Sequence, residues 1–507
     1  MANQLFQVKT HEALQAELRG ENRLHRVLGP IQLSSLGVGA IIGTGIFVLT
    51  GVAAHDLTGP ALMLSFVVSG ITCVFAALCY AEFASMVPVA GSAYTYAYAT
   101  LGELFAWIMG WDLILEYAVA SATVAHGWSH YFQDFLAFFH MGLPTHFTNA
   151  PFDYDLSSGH IILTGTWFDL PAIAIAAAVT VVLVKGIRES ASLNAAIVGL
   201  KLAIVFFVIA VGALYVHPAN WHPFAPFGLS GLSFFGHTVL GQAGPGGKPQ
   251  GMLAGAALVF FAYIGFDSIS THAEEAKNPS RDVPIGIMTS LILCTILYIA
   301  VAGVLTGMVP YNQINIDAPV SDAFRQVGLP WAQLLVSVGA IAGITSVLLV
   351  MMLSQPRIFL AMARDGLLPT GFFGAVHERF RTPWKSTILT GVCVATMGAF
   401  LPLRFLAELV NIGTLLAFVI VCMAVIIMRR THPEVPRPFR APLGAVVPIL
   451  GILCCLLLMF SLPVANWLRL FGWLVIGLVI YFTYGIYHSK IRLEAREGDE
   501  KVAISQK

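Results

Sequence analysis

The stretch GVGAIIGTGIFVLTG, residues 37–51, joins two opposing properties. It is apolar enough to lie in the hydrocarbon of a membrane, yet four of its glycines, Gly37, Gly39, Gly43 and Gly45, put poor helix formers in the middle of one predicted span. A second apolar stretch, ALVFFAYIGFDSISTHAEEAKNP at 257–279, carries Gly265 followed closely by Asp267. Irregular backbone is tolerated at membrane depth only where protein buries it or where it lines a cavity. Both stretches therefore predict helices that are broken at an internal site.

The composition of the whole chain indicates a lipid environment. Of its 507 residues, 57% are hydrophobic and 11% are charged, whereas soluble domains contain about 25% charged residues. Apolar stretches of about 20 residues recur along the chain, which is the length that crosses about 30 Å of hydrocarbon. They predict an all-α integral membrane protein with about twelve transmembrane helices. The predicted spans are 31–54, 60–87, 103–132, 169–186, 190–216, 251–276, 282–309, 330–356, 384–401, 405–428, 444–462 and 466–487.

The lysines and arginines predict the orientation in the membrane. With the N-terminus inside, 22 of the 27 fall in inner segments and 4 in outer segments, which is the asymmetry of the positive-inside rule. We therefore expect a multi-pass protein of the cell (inner or plasma) membrane with both termini in the cytoplasm. Polar tails at 1–30 and 488–507 flank a transmembrane domain at 31–487. The net charge is zero, so no basic field would attract nucleic acid.

Broken helices offer backbone groups that can hold a ligand. The N-terminus of a half-helix attracts a carboxylate, and freed carbonyl oxygens attract an ammonium group. Amino acids carry both groups close together. The two interrupted spans, the first and the sixth, are five apart, and such paired interruptions indicate the substrate site of a secondary transporter. The alternative is that the glycines only allow close helix packing, as the Gly39–Gly43 spacing permits.

Longer segments resemble the amino acid–polyamine–organocation superfamily, and most closely its cationic amino acid transporter family with the bacterial members. GAIIGTGIFVLTG at 39–51 is similar to the first span of that superfamily, and YAEFASMVPVAGSAYTYAYATLGEL at 80–104 to the end of its second span and the loop that follows. FAYIGFDSISTHAEEAKNPSRDVPIGI at 261–287 resembles the sixth span. ARDGLLP at 363–369 and NIGTLLAF at 411–418 resemble the eighth and tenth.

The resemblance implies a LeuT-like fold with alternating access and unwound first and sixth helices. An inverted five-plus-five repeat would cover 31–216 and 251–428, followed by extra helices at 444–487. The substrate carboxylate would lie on N–H groups around Gly43, and the amine on carbonyls of the two broken spans. The predicted substrate-binding residues are Ile41, Gly43, Thr44, Gly45, Ile46, Phe261, Ala262, Tyr263, Ile264 and Met351.

The eighth span predicts the preferred side chain of the substrate. A cationic side chain needs a reachable carboxylate or a polar pocket, but this span offers Ile344, Val347 and Leu348. The resemblance places Met351, which is large, apolar and flexible, near the substrate side chain. We therefore expect small neutral L-amino acids such as alanine, with cationic amino acids as the alternative.

Three ionisable residues deep in predicted spans are candidates for proton coupling: Lys201, Glu116 and Asp267. By resemblance, Lys201 points into the place where sodium-driven relatives of this fold hold an ion, and would bridge carbonyls near Gly39 and Ala40. A second cation there would be repelled, and burial favours loss of the lysine proton. These considerations predict proton-coupled, sodium-independent transport. The alternative is a permanently charged lysine that only fastens the first span to the fifth.

The two buried acids keep several interpretations open. Glu116 could make a helix-packing hydrogen bond, remain a neutral acid, pair with a buried cation or select a cationic substrate. Asp267 is expected to cap the second half of the sixth span, since aspartate is favoured at helix N-caps. Contact of Asp267 with the coupling machinery is a further possibility.

Other functional classes find little support in the sequence. One alternative is a membrane-embedded enzyme, which would need a motif such as His-Glu-x-x-His or Gly-x-Ser-x-Gly. The other is a channel or a receptor without a transport cycle; channels usually show pore repeats or charged rings, and the sequence has none of these features. Gly247-Lys248 is followed by Pro249 rather than by the Ser or Thr of a nucleotide-binding loop. His126 and His130 share one helix face but lack a nearby third metal ligand. We expect an amino acid, protons and membrane lipid as partners, with no ATP, cofactor or metal.

Overall fold

The computed structural model describes residues 5–9, 28–86, 92–154, 161–186, 191–244 and 247–493. Within these ranges, eight helices are long and apolar enough to cross a membrane by length and composition. The prediction of a largely helical membrane protein is thus confirmed, while the count of about twelve spans stays a prediction. The eight are Gly45–Met86, Glu103–Phe138, Ala196–Tyr215, Met252–Thr271, Pro279–Met308, Pro330–Arg364, Leu403–Thr431 and Val464–His488.

Fourteen of the described α-helices have eight or more residues, and we number these in chain order. They are α1 Pro30–Ile41, α2 Leu62–Met86, α3 Ser92–Thr100, α4 Glu103–Phe138, α5 Leu170–Lys185, α6 Ala191–Gly212, α7 Met252–Val259, α8 Pro279–Met308, α9 Pro319–Gln326, α10 Pro330–Arg364, α11 Trp384–Phe400, α12 Leu403–Thr431, α13 Val446–Ser461 and α14 Val464–Ile480. Shorter helical segments connect several of them.

The strands of the described residues lie in the loops between helices. Between α4 and α5, β1 (Phe152–Tyr154) pairs antiparallel with β2 (Ile161–Leu163). Between α6 and α7, β3 (Leu232–Phe234) pairs with β4 (His237–Leu240), and β5 (Gln242–Ala243) pairs with β6 (Pro249–Gln250). These antiparallel pairs cover loops and take no part in the helical core.

The first two predicted spans meet at a tight turn, and the first of them is interrupted. The sequence predicted spans at 31–54 and 60–87, but α1 ends at Ile41 and helical structure resumes at Gly45. It then continues through short π-helical and 3₁₀ segments into α2. Gly59, at a φ of +59°, lets the chain turn tightly where a loop was expected.

Two other helices extend beyond their predicted spans of 103–132 and 330–356. α4 continues to Phe138 because Asp134, which reads as a loop residue, accepts hydrogen bonds from Ser321 and from Gln333. α10 continues to Arg364 although it contains Pro356. Proline removes one backbone hydrogen bond, and burial of the helix end against neighbouring helices keeps this helix intact.

The middle of the molecule is built from pairs of packed helices. α2 packs against α8, α4 against α10, and α5 against α11. α1 lies against α8 and α6, so that the first interruption is surrounded by other helices. Apolar side chains fill the space between these helices, including Phe47, Phe66 and Tyr298, each at most 2% exposed. This buried core holds both broken segments in place.

Candidate functional site

The first interruption separates α1 from the π-helical segment Gly45–Leu49. Ile42 adopts an extended conformation, with φ −73° and ψ 104°, which stops the helix. The Gly43 carbonyl then accepts from the N–H groups of Ile46 and Phe47, each at 3.2 Å. The first N–H groups of a new helix have no intrahelical acceptor. Those of residues 43–45 are therefore suited to an anionic ligand.

The second interruption follows α7. A 3₁₀ turn at Phe260–Tyr263 gives way to Ile264, with φ −59° and ψ 134°, and helical structure resumes at Ser268. Gly265 has a φ of +115°, a conformation that side chains other than glycine rarely adopt. A Cβ atom there would lie 2.9 Å from the Ala40 carbonyl oxygen. Glycine is thus required both by the backbone and by its contact with the end of α1.

The two interruptions touch each other and enclose a small cavity. A Cβ atom on Gly45 would lie 2.3 Å from the Ala262 Cα atom, so the backbones are in direct contact. The cavity measures about 10 Å³, room for roughly one water molecule. It is lined by Ala40, Ile41, Gly43, Thr44, Gly45, Ala120, Val124, Phe261, Ile264, Val347 and Met351. None of these described residues carries a charged side chain.

Seven of the ten predicted substrate residues line this cavity: Ile41, Gly43, Thr44, Gly45, Phe261, Ile264 and Met351. Ile46, Ala262 and Tyr263 lie outside the lining. Tyr263 turns away, since its hydroxyl donates to the Phe66 carbonyl at 2.7 Å. Ala120 and Val124 of α4, together with Val347, were not predicted as site residues. The binding roles of all these residues stay predictions.

The Thr44 hydroxyl is a buried polar group beside the cavity. Thr44 is 1% exposed, and its Oγ1 has no hydrogen-bond partner among the described residues. A buried polar group without a partner costs about 1–3 kcal/mol. Because the residue lines the cavity, a ligand bound there is a suitable partner for this hydroxyl.

Tyr298 of α8 links the two interruptions and was missed by the sequence analysis. Its hydroxyl lies 2.8 Å from the Ile41 carbonyl oxygen and 2.9 Å from that of Ala262. These two carbonyls were predicted to hold the amine of the substrate. A hydroxyl has one proton and can donate to only one carbonyl at a time. The signal in the sequence is a single tyrosine in the apolar stretch CTILYIAVAG at 294–303.

Lys201 of α6 lies at the end of α1. It is 1% exposed, and its ammonium donates to the carbonyl of Gly39 at 2.5 Å and to that of Ile42 at 3.1 Å. The predicted contact with Gly39 is present, but Ile42 takes the place of Ala40. The last carbonyls of a helix carry partial negative charge. A cation therefore fits this position without a carboxylate partner.

Two buried acids lie near the second interruption. Asp267, which is 1% exposed, accepts from the Tyr117 hydroxyl at 3.0 Å and from the Gly265 N–H at 3.3 Å. It occupies the N-cap position but makes no side-chain cap hydrogen bond, so the predicted capping role is wrong. Its carboxylate instead accepts from the Gly265 N–H, which precedes it in the chain, and from Tyr117 of α4. Glu116 of α4 is 2% exposed and precedes Tyr117, whose hydroxyl donates to Asp267.

A third buried acid, Asp112, was not singled out by the sequence. It is fully buried, and neither of its carboxylate oxygens has a hydrogen-bond partner among the described residues. It lies one helical turn before Glu116 on α4. All three acids are buried, whereas the lysine lies at the end of α1 among carbonyl groups.

Comparison with known proteins gives a consistent result. A family model described as amino acid permease matches residues 28–484. The branched-chain amino acid permease BcaP of Bacillus subtilis (strain 168) is 47% identical over 492 residues, covering 97% of this chain and 100% of that protein. The methylthioribose transporter of the same organism is 45% identical over 485 residues, covering 96% and 98%. The vacuolar cationic amino acid transporter 4 of Arabidopsis thaliana is 39% identical over 421 residues, covering 82% and 65%.

Proposed function

Since the chain belongs to the amino acid permease family, whose members are transporters rather than enzymes, we propose that it imports L-amino acids by secondary active transport with alternating access. The observation that carries this proposal is the direct contact of two helix interruptions around one cavity. N–H groups at residues 43–45 would hold the substrate carboxylate. Carbonyls of Ile41, Phe261, Ala262 and Ile264 would hold its ammonium group.

The occupied carbonyls remain compatible with this arrangement. Ile41 and Ala262 share the Tyr298 hydroxyl, and the Phe261 carbonyl accepts from the Ile264 N–H at 3.2 Å. A carbonyl oxygen has two lone pairs and accepts a second hydrogen bond. An ammonium group with three donors could therefore join this network without displacing it.

The fold proposed for the cycle is LeuT-like, with an inverted five-plus-five repeat, two extra helices and both termini in the cytoplasm. Such a repeat relates the second, third and fourth spans to the seventh, eighth and ninth. The packing of α2 on α8, α4 on α10 and α5 on α11 supports this relation. Motion of one broken helix against its neighbours would then open the cavity to each side in turn.

The cavity lining supports small neutral amino acids, alanine-like in size, as the preferred substrates. The wall is apolar, with Val124, Val347 and Met351 facing the central space, and a cationic side chain would meet no acidic group among the described lining residues. Cationic amino acids stay the alternative. A further candidate is branched-chain amino acids, favoured by the apolar wall and by the similarity to the branched-chain amino acid permease BcaP.

Proton coupling is proposed to centre on Lys201. The protonated amine holds the carbonyls of Gly39 and Ile42. Loss of the proton would weaken these contacts and loosen the end of α1, a local charge change that biases a two-state element. Glu116 and Asp267 are further candidates for carrying protons. No sodium ion is required in this proposal, because the ammonium already fills the position beside α1.

Transport in liposomes tests the proposal directly. The purified full chain would be reconstituted and supplied with labelled alanine, leucine, arginine and methylthioribose, with and without an inward proton gradient. We expect uptake of alanine that rises with the gradient and does not require sodium or ATP. Uptake of methylthioribose with no amino acid uptake would overturn the substrate class, and a sodium requirement would overturn the coupling.

A further inference from the structure

A second cavity, of about 190 Å³, shares no lining residue with the central one. It lies where α7, the first turns of α12 and the connection from α13 to α14 meet. Its apolar lining includes Leu258 and Leu462. Three basic residues, Lys248, Arg404 and Arg469, line it together with a single acidic residue, Glu408. The basic side chains therefore outnumber the acidic one in this partly enclosed space.

Glu408 is already engaged on both oxygens. Arg404 Nε donates to its Oε1 at 3.0 Å, and Asn466 Nδ2 donates to its Oε2 at 3.2 Å. Arg404 Nη1 lies 4.0 Å from the Asp56 carboxylate. This nitrogen is buried and has no hydrogen-bond partner among the described residues. One edge of the Arg404 guanidinium, at Nη1, thus retains donors for another acceptor.

Arg469 is held in a defined orientation beside Arg404. The central carbon of its guanidinium lies 3.8 Å from the centre of the Phe405 ring, and its Nη1 donates to Asn466 Oδ1 at 2.8 Å. A guanidinium that stacks on an aromatic ring has a fixed orientation, and its N–H groups point outward in the plane parallel to the ring. Asn466 connects the Arg469 and Glu408 side chains, so the polar groups form one ordered network.

We propose that this cavity binds an oxyanion, a phosphate or carboxylate group, that carries an apolar portion. Two arginines match the geometry of such groups, because their planar forks donate parallel hydrogen bonds. The apolar lining would cover the rest of the ligand. The same chemistry occurs in the headgroup of an anionic lipid and in a soluble organic anion. Within the network, Glu408 accepts hydrogen bonds from Arg404 and Asn466 that the oxyanion would otherwise accept.

Thermal unfolding of the purified full chain in neutral detergent tests this site without measuring transport. The probes are hexyl phosphate and short-chain phosphatidylglycerol, with short-chain phosphatidylcholine as the lipid control. Ionic strength is held constant, since salt screens exposed charges. We expect hexyl phosphate, phosphatidylglycerol or both to raise the unfolding midpoint, while phosphatidylcholine leaves it unchanged. Stabilisation by phosphatidylglycerol identifies a lipid headgroup, and stabilisation by hexyl phosphate alone identifies a soluble anion.

Three variants separate binding from a structural role. Arg404→Gln/Arg469→Gln should weaken binding of the phosphate probe at least about tenfold, because hydrogen bonds to charged groups are lost. Arg325→Gln, outside the cavity, should leave it unchanged. Glu408→Gln should bind the probe more tightly, since a competing carboxylate is removed. A purely structural network predicts lower stability and no gain in affinity for Glu408→Gln.

The proposal is overturned if neither phosphate probe stabilises the unmodified protein. It is also overturned if the double variant binds as the unmodified protein does. Should the double variant fail to fold, Glu408→Gln decides alone: tighter binding supports the site, and unchanged or weaker binding rejects it.

Discussion

The two broken helices are interrupted in a similar way, but opposite charges hold them. At the first, the Lys201 ammonium donates to the carbonyls of Gly39 and Ile42. At the second, the Asp267 carboxylate accepts from the Gly265 N–H. A break leaves carbonyls at the end of one half-helix and N–H groups at the start of the next. A cation suits the former and an anion the latter.

The origin of each charged side chain also differs. Lys201 comes from α6 and fastens a separate helix to the end of α1, whereas Asp267 belongs to the broken segment that it holds. A change of charge at Lys201 would therefore alter the contact between two helices. A change at Asp267 would act mainly within its own segment and on Tyr117. This difference predicts unequal effects of substitution at the two sites.

The largest effect is expected where the two interruptions touch. Gly45→Val should weaken amino acid binding severely, because its Cβ atom would lie 2.3 Å from the Ala262 Cα atom. Strain of on the order of 2–3 kcal/mol corresponds to roughly a hundredfold loss of affinity. Binding of labelled alanine to purified protein measures it. Gly371→Val is the matched control, since a Cβ atom there meets nothing within 4 Å. Normal affinity in Gly45→Val would remove the backbone site from the proposal.

The next largest effect is expected at Lys201. Lys201→Ala should lose the dependence of uptake on the proton gradient and most accumulation, because no proton is left to release the carbonyls at the end of α1. Lys201→Arg should lock one state, since arginine keeps its proton. In the unmodified protein, uptake should rise as the outside becomes more acidic. Uptake into liposomes over a range of external pH values measures these differences.

The Lys201→Ala variant distinguishes proton coupling by Lys201 from a purely structural contact between α6 and α1. If Lys201 only stabilises the contact of α6 with α1, then Lys201→Ala should unfold at a lower temperature and still show the proton dependence of the unmodified protein. Full proton-driven accumulation by Lys201→Ala would defeat the coupling proposal. Melting curves recorded beside the uptake measurements separate the two roles.

A smaller effect is expected at the second interruption. Asp267→Asn keeps an oxygen that can accept from the Gly265 N–H, but a neutral acceptor is weaker than a carboxylate by about 1 kcal/mol. Uptake should therefore fall about fivefold and still be stimulated by external acid, because Lys201 remains. Initial uptake rates at two pH values measure this. Loss of proton stimulation in Asp267→Asn, with retention in Lys201→Ala, would reverse the comparison between the two breaks.

The sequence predicts the breaks better than the contacts around them. Glycine content and the position of Asp267 locate both interruptions, because glycine is needed where φ is positive or backbones touch. The hydroxyl of Tyr298 that links them is different. The local sequence around Tyr298 does not indicate which neighbouring segment its side chain contacts. That information arises only when α8 packs against α1 and the second interruption.

Helix ends and cavity walls show the same limit. The extension of α4 to Phe138 depends on Ser321 and Gln333, which lie far away in sequence and satisfy Asp134. Val124 reaches the cavity because α4 packs against α10. The apolar composition of 103–132 predicts a membrane span but does not indicate which of its residues meet the two broken segments.

The smallest effect on the two breaks is expected from Met351→Ser, because this side chain belongs to the unbroken helix α10. The broken helices offer backbone groups that suit the carboxylate and ammonium common to all amino acids. In the proposed site, discrimination between side chains would then fall to unbroken helices, whose Val124 of α4 and Val347 and Met351 of α10 line the cavity.

Removing most of the Met351 side chain should leave alanine uptake nearly unchanged and admit longer or cationic substrates. One methylene of pocket space discriminates by about tenfold or more, so the ratio of leucine or arginine uptake to alanine uptake should rise roughly tenfold. Met423→Ser, at a methionine that is 39% exposed and outside the cavity, provides the control. Competition of unlabelled amino acids against labelled alanine in liposomes measures the ratio.

An unchanged ratio would place selectivity elsewhere, and strong arginine uptake without alanine uptake by the unmodified protein would reverse the proposed preference. If alanine uptake instead fell as steeply as in Gly45→Val, the side-chain wall and the backbone breaks would not act separately, and the division between broken and unbroken helices would be wrong.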